Sequence, residues 1–228
     1  MAKLVWDETG KRFYETGIDK GVLYLQDSKG EYTNGEAWNG LISVSESPSG
    51  ADETALYANN AKYLGLRAKE EFGGTIGAYT TPDSWAQCDG SISPAKGLHI
   101  GQQTRAIFGL CYRTLLGNDV KKDDYGYKLH IVYGATASPS EREYSTVNDS
   151  PEAVELSYEF STTDVTIPNA KSASHLEIVS TECDPTKLAK LEEILYGTDE
   201  AEPRLPLPTE IISILGATET TASEVETA

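Results

Sequence analysis

The strongest constraint on the fold is a period-two alternation of apolar and polar residues. Residues 153–160, AVELSYEF, place an apolar side chain at every second position, and residues 127–133, YKLHIVY, repeat the pattern. This is the period of a β-strand with one buried face. Both faces are apolar in residues 105–116, which predicts a strand covered on both sides. Weaker strand patterns occupy residues 21–26, 38–45, 63–79 and 174–180.

Two helices are predicted where a capping residue precedes a proline. Thr81-Pro82 opens a short helix over residues 82–88, and Asp184-Pro185 opens a longer one over residues 185–196. Leucines at helical spacing give the longer helix an apolar stripe that would pack on a sheet. The pattern therefore predicts a mainly β fold, a sandwich or partial barrel with one short and one longer flanking helix.

A chain of 228 residues fits one large all-β domain. We expect a domain over residues 1–216 that begins and ends with an arm, residues 1–20 and 198–216, and then a flexible acidic tail over residues 217–228. Three prolines fall within 203–208, so the segment EPRLPLPTEII is predicted to be extended. No apolar run approaches the roughly 20 residues of a membrane helix, and the N-terminus lacks a signal peptide's apolar stretch. We therefore expect no membrane insertion, and folding in a cytoplasm.

The net charge of −17 argues against tight binding to nucleic acid, because such binding needs Lys and Arg to contact phosphates. Residues 182–228 contribute −8 of that charge. An acidic surface is typical of a soluble protein, but it would also repel an anionic molecule that passes close by. The charge by itself leaves both explanations open.

Motifs for catalysis or cofactor binding lack the required spacing in this sequence. His99, His130 and His175 form no metal-ligand motif, and the three cysteines form no CxxC pair. There is no nucleophile elbow, P-loop or EF-hand pattern. Asp119, Asp123 and Asp124 would at most bind Ca²⁺ weakly, and a solvated hairpin tip explains them equally well. We therefore expect no enzyme activity, no cofactor and no metal.

The order of several long segments is the most informative feature. WNGLISVSESPSGADETALYANNAKYLGL is followed by EEFGGTIGAYTTPDSWAQCDG, by GQQTRAIFGLCYRTLLGND, and by YGYKLHIVYGATASPSEREYSTVNDSPEAVELSYEFST. This succession, from about residue 3 to about residue 216, resembles the major tail protein family of long-tailed, non-contractile phages of Gram-positive hosts. These are tail tube proteins.

The resemblance implies a tail-tube fold whose copies close into six-membered rings. The rings would stack into a hollow virion tube around a tape measure protein, with tail terminator and distal tail proteins at its ends. The tube would be assembled in the host cytoplasm and would later conduct double-stranded DNA without binding it specifically. Another tail component, such as a tail terminator, or an adhesin-like β-sandwich binding protein remains the alternative.

The resemblance also gives a role to the polar stretch SESPSGADETALYANNAKY. An out-and-back excursion over residues 46–62 would reach roughly 25 Å. We expect this pliable arm to contact another subunit, with Leu56 and Tyr57 as anchors, although a mobile surface loop would have the same composition. The predicted contact residues are Pro48, Gly50, Asp52, Glu53, Leu56, Tyr57, Asn59 and Asn60. Glu155 and Glu159, on the polar face of their strand, are the candidates for acids that line the bore.

Overall fold

The structure is a computed structural model that describes residues 3–144, 146, 149 and 153–216. In that part of the chain the strands are β1 (Phe13–Gln26), β2 (Tyr32–Ala37), β3 (Leu41–Glu46), β4 (Ser49–Gly50), β5 (Glu53–Ala58), β6 (Ala61–Arg67), β7 (Glu70–Glu71), β8 (Gly73–Ala78), β9 (Ile92–Ala95), β10 (Leu98–Ile100), β11 (Phe108–Asn118), β12 (Lys122–Ala137), β13 (Leu156–Thr162) and β14 (His175–Val179). The helices are α1 (Trp85–Cys88), α2 (Pro185–Tyr196) and α3 (Pro208–Leu215). The predicted mainly β fold with flanking helices is confirmed.

Eight strands form one antiparallel sheet in the order β2-β1-β11-β12-β13-β8-β3, with β14 paired to β12 beside that path. The long strand β12 serves two neighbours, because Lys128–Val132 pairs with β14 and Ala135–Ala137 pairs with β13. The change of neighbour falls at Gly134, which has a φ of 60°. A Cβ there would collide with the backbone carbonyl of Thr163, so glycine is required at this position.

The sheet curls until β3 lies next to β1. Gly21 of β1 packs against Leu41 of β3, and the Trp38 amide donates a hydrogen bond to the Gly21 carbonyl at 2.8 Å. A cleft of about 300 Å³ follows this seam. The fold is therefore a partial barrel that is open along one side.

Two apolar cores lie on opposite faces of the sheet. The inner core fills the barrel with side chains from the sheet and from α1, and its largest members are Trp38, Trp85, Phe108, Tyr112, Tyr158 and Phe160. The outer core joins the other face to α2 and α3 through Tyr24, Cys111, Ile131, Tyr133, Leu188, Leu191, Leu195 and Ile211. β11 contributes to both cores, which confirms the prediction that it is covered on both sides.

α2 has the bounds that the sequence predicts. The Asp184 side chain accepts hydrogen bonds from the backbone N–H groups of Thr186 and Lys187, at 2.9 and 3.1 Å, and Gly197 follows the last turn. α1 is shorter than predicted and begins at Trp85. The preceding residues form turns rather than the first part of a helix.

The expected extended arm over residues 198–216 is wrong in its second half, where α3 lies. Pro208 occupies the first turn of that helix, where a missing N–H costs nothing, and Ile211 is buried in the outer core. Tyr133 donates a 2.6 Å hydrogen bond to the Pro206 carbonyl and fixes the approach to the helix. The described residues thus contain one more helix than the sequence patterns predict. The tail over residues 217–228 lies outside the described residues.

Two strand bounds also differ from the expectation. Residues 63–79 hold parts of three separate strands, β6, β7 and β8, instead of one. Part of the expected N-terminal arm is already the start of β1 at Phe13.

None of the helices in the described residues is long and apolar enough to cross a membrane. Cys88 and Cys111 are buried and unbridged.

Candidate assembly surface

A projecting arm leaves the barrel between β3 and β8. The Ser47 amide donates to the Gly73 carbonyl at 2.8 Å, which closes the base of the arm. β4 and β7 continue the pairing for two residues, and β5 and β6 then form a hairpin. Its turn is Asn59-Asn60, with φ values of 51° and 61°. Two consecutive residues at positive φ define a type I′ turn, so the predicted pliable loop is an ordered hairpin, with one register shift next to Tyr63.

The hairpin carries large apolar side chains that nothing else in the described part of the chain covers. Leu56 lies directly opposite Leu64, and Leu66 follows on the same face. These three leucines are 41, 48 and 51% exposed, while Tyr57 and Tyr63 are 73 and 76% exposed. None of the five belongs to either core. A two-stranded hairpin is marginally stable in water, so such side chains indicate a surface that a partner covers.

All eight contact residues predicted from the sequence lie on this arm, and all are exposed. Pro48 and Gly50 are near its base, Asp52 and Glu53 begin the hairpin, and the two asparagines form its tip. Sequence reasoning predicted a strand from residue 63 but did not assign Tyr63, Leu64 and Leu66 to the contact surface. The signal was present, because Leu64 and Leu66 have strand spacing and follow a two-residue turn.

The N-terminal segment presents a second exposed apolar group. Leu4, Val5 and Trp6 are all largely exposed. The segment is held near the β11–β12 turn, where the Gly10 amide donates to Asp119 at 2.9 Å. Asn118 donates its side-chain amide to the Gly10 carbonyl at 3.1 Å. The anchored end leaves the apolar side chains pointing away from both cores.

The outer face of β13, β8 and β3 is polar and is covered by no helix of the described residues. Register alignment places Glu159, Thr75 and Ser45 in one cross-strand row, and Ser157, Gly77 and Ser43 in the next. These two rows hold no basic residue. Glu159 therefore lies on an exposed strand face, as predicted, whereas Glu155 is exposed one residue before β13 begins.

Two of the three acids that were considered for Ca²⁺ have other hydrogen-bond partners. Asp119 accepts from the Gly10 amide, and Asp123 accepts a 2.8 Å hydrogen bond from the Tyr14 hydroxyl. Among the described residues, three potential metal ligands converge instead at Glu46, His130 and His175. The sequence could not reveal this group, since its members are 84 and 45 positions apart and come from three strands.

Aromatic rings and a hydroxyl surround these histidines. Tyr112 stacks on His130 and Phe72 stacks on His175, each with ring centres 4.7 Å apart. Burial raises the pKa of Tyr112, and its hydroxyl donates to Glu46 at 2.6 Å. Burial lowers the pKa of His175, with Glu46 opposing that effect. His175 is thus biased toward the neutral form.

Comparisons with known proteins add little. No protein-family profile matches the chain, and no curated protein is similar to it in sequence. Among solved structures, one chain of the sheath–tube complex of an extracellular contractile injection system (PVC, extended state) is similar, with 10% identity and a TM-score of 0.36. The similarity covers 76% of this chain and 93% of that chain. A sequence identity of 10% and a TM-score of 0.36 are too low to identify the fold or the function of this chain.

Proposed function

We propose that this chain is a tail tube protein, a structural subunit that assembles into stacked rings, six copies to a ring, as the major tail proteins that it resembles do. The observation that carries the proposal is the projecting hairpin with five large, exposed apolar side chains. A subunit that worked alone would have no use for this surface, and it would be prone to aggregation. Covered by a neighbour, the same side chains would stabilise an assembly.

The shape of the arm favours rings and tubes over a closed dimer. A hairpin that stands away from the barrel contacts a different surface on its neighbour, which is a heterologous contact. Heterologous contacts repeat from one copy to the next and close into rings or continue as filaments. The N-terminal segment, with Leu4, Val5 and Trp6, offers a second surface of the same kind. Two such surfaces would allow one contact within the ring and one between rings.

The uncovered polar face of β13, β8 and β3 is suited to line the bore. Its rows of Ser, Thr and Gly carry one carboxylate, that of Glu159. Six copies of a chain of net charge −17 carry −102, and an acidic wall repels DNA phosphates. The tube would therefore conduct DNA from the virion without holding it. A tape measure protein inside, and terminator and distal proteins at the ends, would be its partners.

Electron microscopy of the purified chain tests the proposal. Negatively stained protein is expected to show rings or regular hollow tubes of one diameter. An alternative tail component or an adhesin-like protein would remain as isolated subunits or a single ring. Failure to form any regular assembly across a wide range of protein and salt concentrations would contradict the proposal.

A loop exchange tests the role of the hairpin. Asp52 and Ala68 are joined by a 2.9 Å backbone hydrogen bond, so an Asn-Gly turn can replace Glu53–Arg67 between them. This variant is expected to fold and to lose assembly. Lys96→Asn, which creates the same Asn-Gly sequence between β9 and β10 and leaves the arm intact, is the control and should assemble normally. Normal tubes from the exchanged variant would refute the role given to the hairpin.

A further inference from the structure

Three side chains from three strands meet at the base of the arm. Glu46 ends β3, His130 lies in β12, and His175 begins β14. His130 Nδ1 is 3.3 Å from Glu46 Oε1 and 3.4 Å from His175 Nε2, and the third side of the triangle, from His175 Nε2 to Glu46 Oε1, is 3.6 Å. His130 is almost fully buried, while the other two reach the surface.

The hydrogen bonds around His130 determine which of its ring nitrogens carries the proton. The Thr114 hydroxyl donates to Glu15, so its oxygen accepts at 3.0 Å from His130 Nε2–H. A neutral His130 then has no proton on Nδ1, and this lone pair faces Glu46. The Tyr112 hydroxyl already donates to Glu46 Oε1 from the other side. A nitrogen lone pair and a carboxylate oxygen thus face each other with no hydrogen assigned between them.

The two imidazole rings lie edge to edge beside this carboxylate. Their planes differ by 13° and their centres are 5.6 Å apart, whereas the facing nitrogens are only 3.4 Å apart. The difference is about two ring radii, which requires both nitrogens to lie close to the line that joins the centres. The rings therefore meet edge to edge in nearly one plane with these two nitrogens facing each other, and a small in-plane turn of each ring would direct both nitrogens at an ion beside the line between them.

The three separations fit a bound cation better than direct hydrogen bonds. They exceed the 2.7–3.2 Å of a well-formed N–H···O bond. Ligand atoms held at 2.0–2.1 Å from a tetrahedral ion are about 3.4 Å apart. We propose that Glu46, His130 and His175 bind one divalent transition-metal ion of the zinc class, with water in the remaining position. This proposal does not depend on the tube function.

The surroundings supply what such a site needs. The outer nitrogen of His130 is fixed by Thr114 and lies 3.6 Å from Glu15, the carboxylate–histidine arrangement that orients metal ligands. Stacking on Tyr112 and Phe72 limits rotation of the two rings. An open groove of about 910 Å³ has His175 in its wall and gives the ion a path from solvent.

A bound ion would fasten the edge strand β3 to β12 and β14 at the point where the arm begins. The adjoining residue, Ser47, is the first of the arm. The segment that returns from the arm to β8 is held at the same place, because Phe72, the residue before β8, stacks on His175. The ion would thus set the direction in which the hairpin projects.

Titration with Co²⁺, which has visible d–d bands, and calorimetric titration with Zn²⁺ test the site. Wild-type protein is expected to bind one equivalent, and its melting temperature should rise with the ion. Glu46→Gln and His175→Gln alter partly exposed side chains, so both variants should fold. Each is expected to weaken binding by more than the roughly 10- to 100-fold that loss of an outer-shell partner costs.

Two control variants separate this site from other ligands on the chain. His99→Gln removes the remaining histidine, whose Nδ1 is paired with Ser93 away from the site, and should bind like wild type. Cys183→Ser removes the partly exposed thiol and should also leave binding unchanged. Three results would each overturn the proposal. The first is the absence of saturable binding, and the second is wild-type affinity in the Glu46 and His175 variants. The third is a thiolate charge-transfer band that disappears in Cys183→Ser.

Discussion

Replacing the hairpin leucines Leu56, Leu64 and Leu66 by threonine should weaken assembly without lowering the free energy of unfolding of the subunit. Complete burial of a leucine contributes about 1.5–3 kcal/mol. Leu56, Leu64 and Leu66 are about half exposed in the single chain, so a partner that covers them would gain about 1 kcal/mol from each. Their joint replacement should therefore cost about 3 kcal/mol per contact, or about a 100-fold increase in the critical concentration for assembly. Threonine suits a strand, so the hairpin should persist.

Sedimentation measures this effect directly. The protein concentration at which assemblies first pellet should rise about 100-fold in the triple variant, while the free energy of unfolding of the single chain should change by less than about 0.5 kcal/mol. Leu98→Thr is the matched control, because Leu98 is also a half-exposed strand leucine, at 50%, but lies in β10 outside the arm. An unchanged critical concentration would refute the reasoning. So would a large loss of subunit stability, since it would show that the leucines support the fold instead.

Three further predictions concern the subunit itself. Leu191→Ala should lower the free energy of unfolding by about 2–5 kcal/mol, because this side chain of α2 is fully buried in the outer core. The exposed Leu207→Ala should have little effect in the same denaturant titration. Gly134→Ala should destabilise by at least about 1 kcal/mol in thermal melts, because alanine is strained at a φ of 60° and its Cβ has no room. Hydrogen bonds from Arg113 lower the pKa of Asp19 below its usual 3.8. The pair therefore stabilises the fold fully above pH 3.8, and this stabilisation is lost as the pH falls through the lowered pKa of Asp19. Asp19→Asn should therefore lower the free energy of unfolding by about 1 kcal/mol or less at pH 7, since the carboxylate is 43% exposed. The difference from wild type should vanish in acid, and a difference that persists at pH 2 would contradict this prediction.

The sequence predicts those elements whose signal is local. The period-two pattern locates β12 and β13 because alternation follows directly from one buried face, and Asp184-Pro185 locates α2 because capping acts within one turn. α3 was missed because its prolines were interpreted as a barrier, although a proline at the first helical position is tolerated. The turn at Asn59-Asn60 was missed because a pair of asparagines is a weaker turn signal than Asn-Gly.

The candidate sites were predictable to different degrees. Leu56 and Tyr57 could be found because large apolar residues in a polar stretch are conspicuous without any knowledge of the fold. The group of Glu46, His130 and His175 could not, since only the curling of the sheet brings β3 near β12 and β14. Sequence spacing identifies metal ligands on one helix or loop, but not ligands that a barrel collects from distant strands.

The division of β12 at Gly134 has a mechanical consequence. One continuous strand supplies backbone hydrogen bonds to β14, whose half of the sheet is covered by the helices, and to β13, whose half carries the arm. The half that carries the arm is joined to β12 through the short ladder between Ala135–Ala137 and β13. A force on the arm should therefore reach the helix-covered wall through β8, β13 and this short ladder, which makes the ladder the place where the subunit yields first.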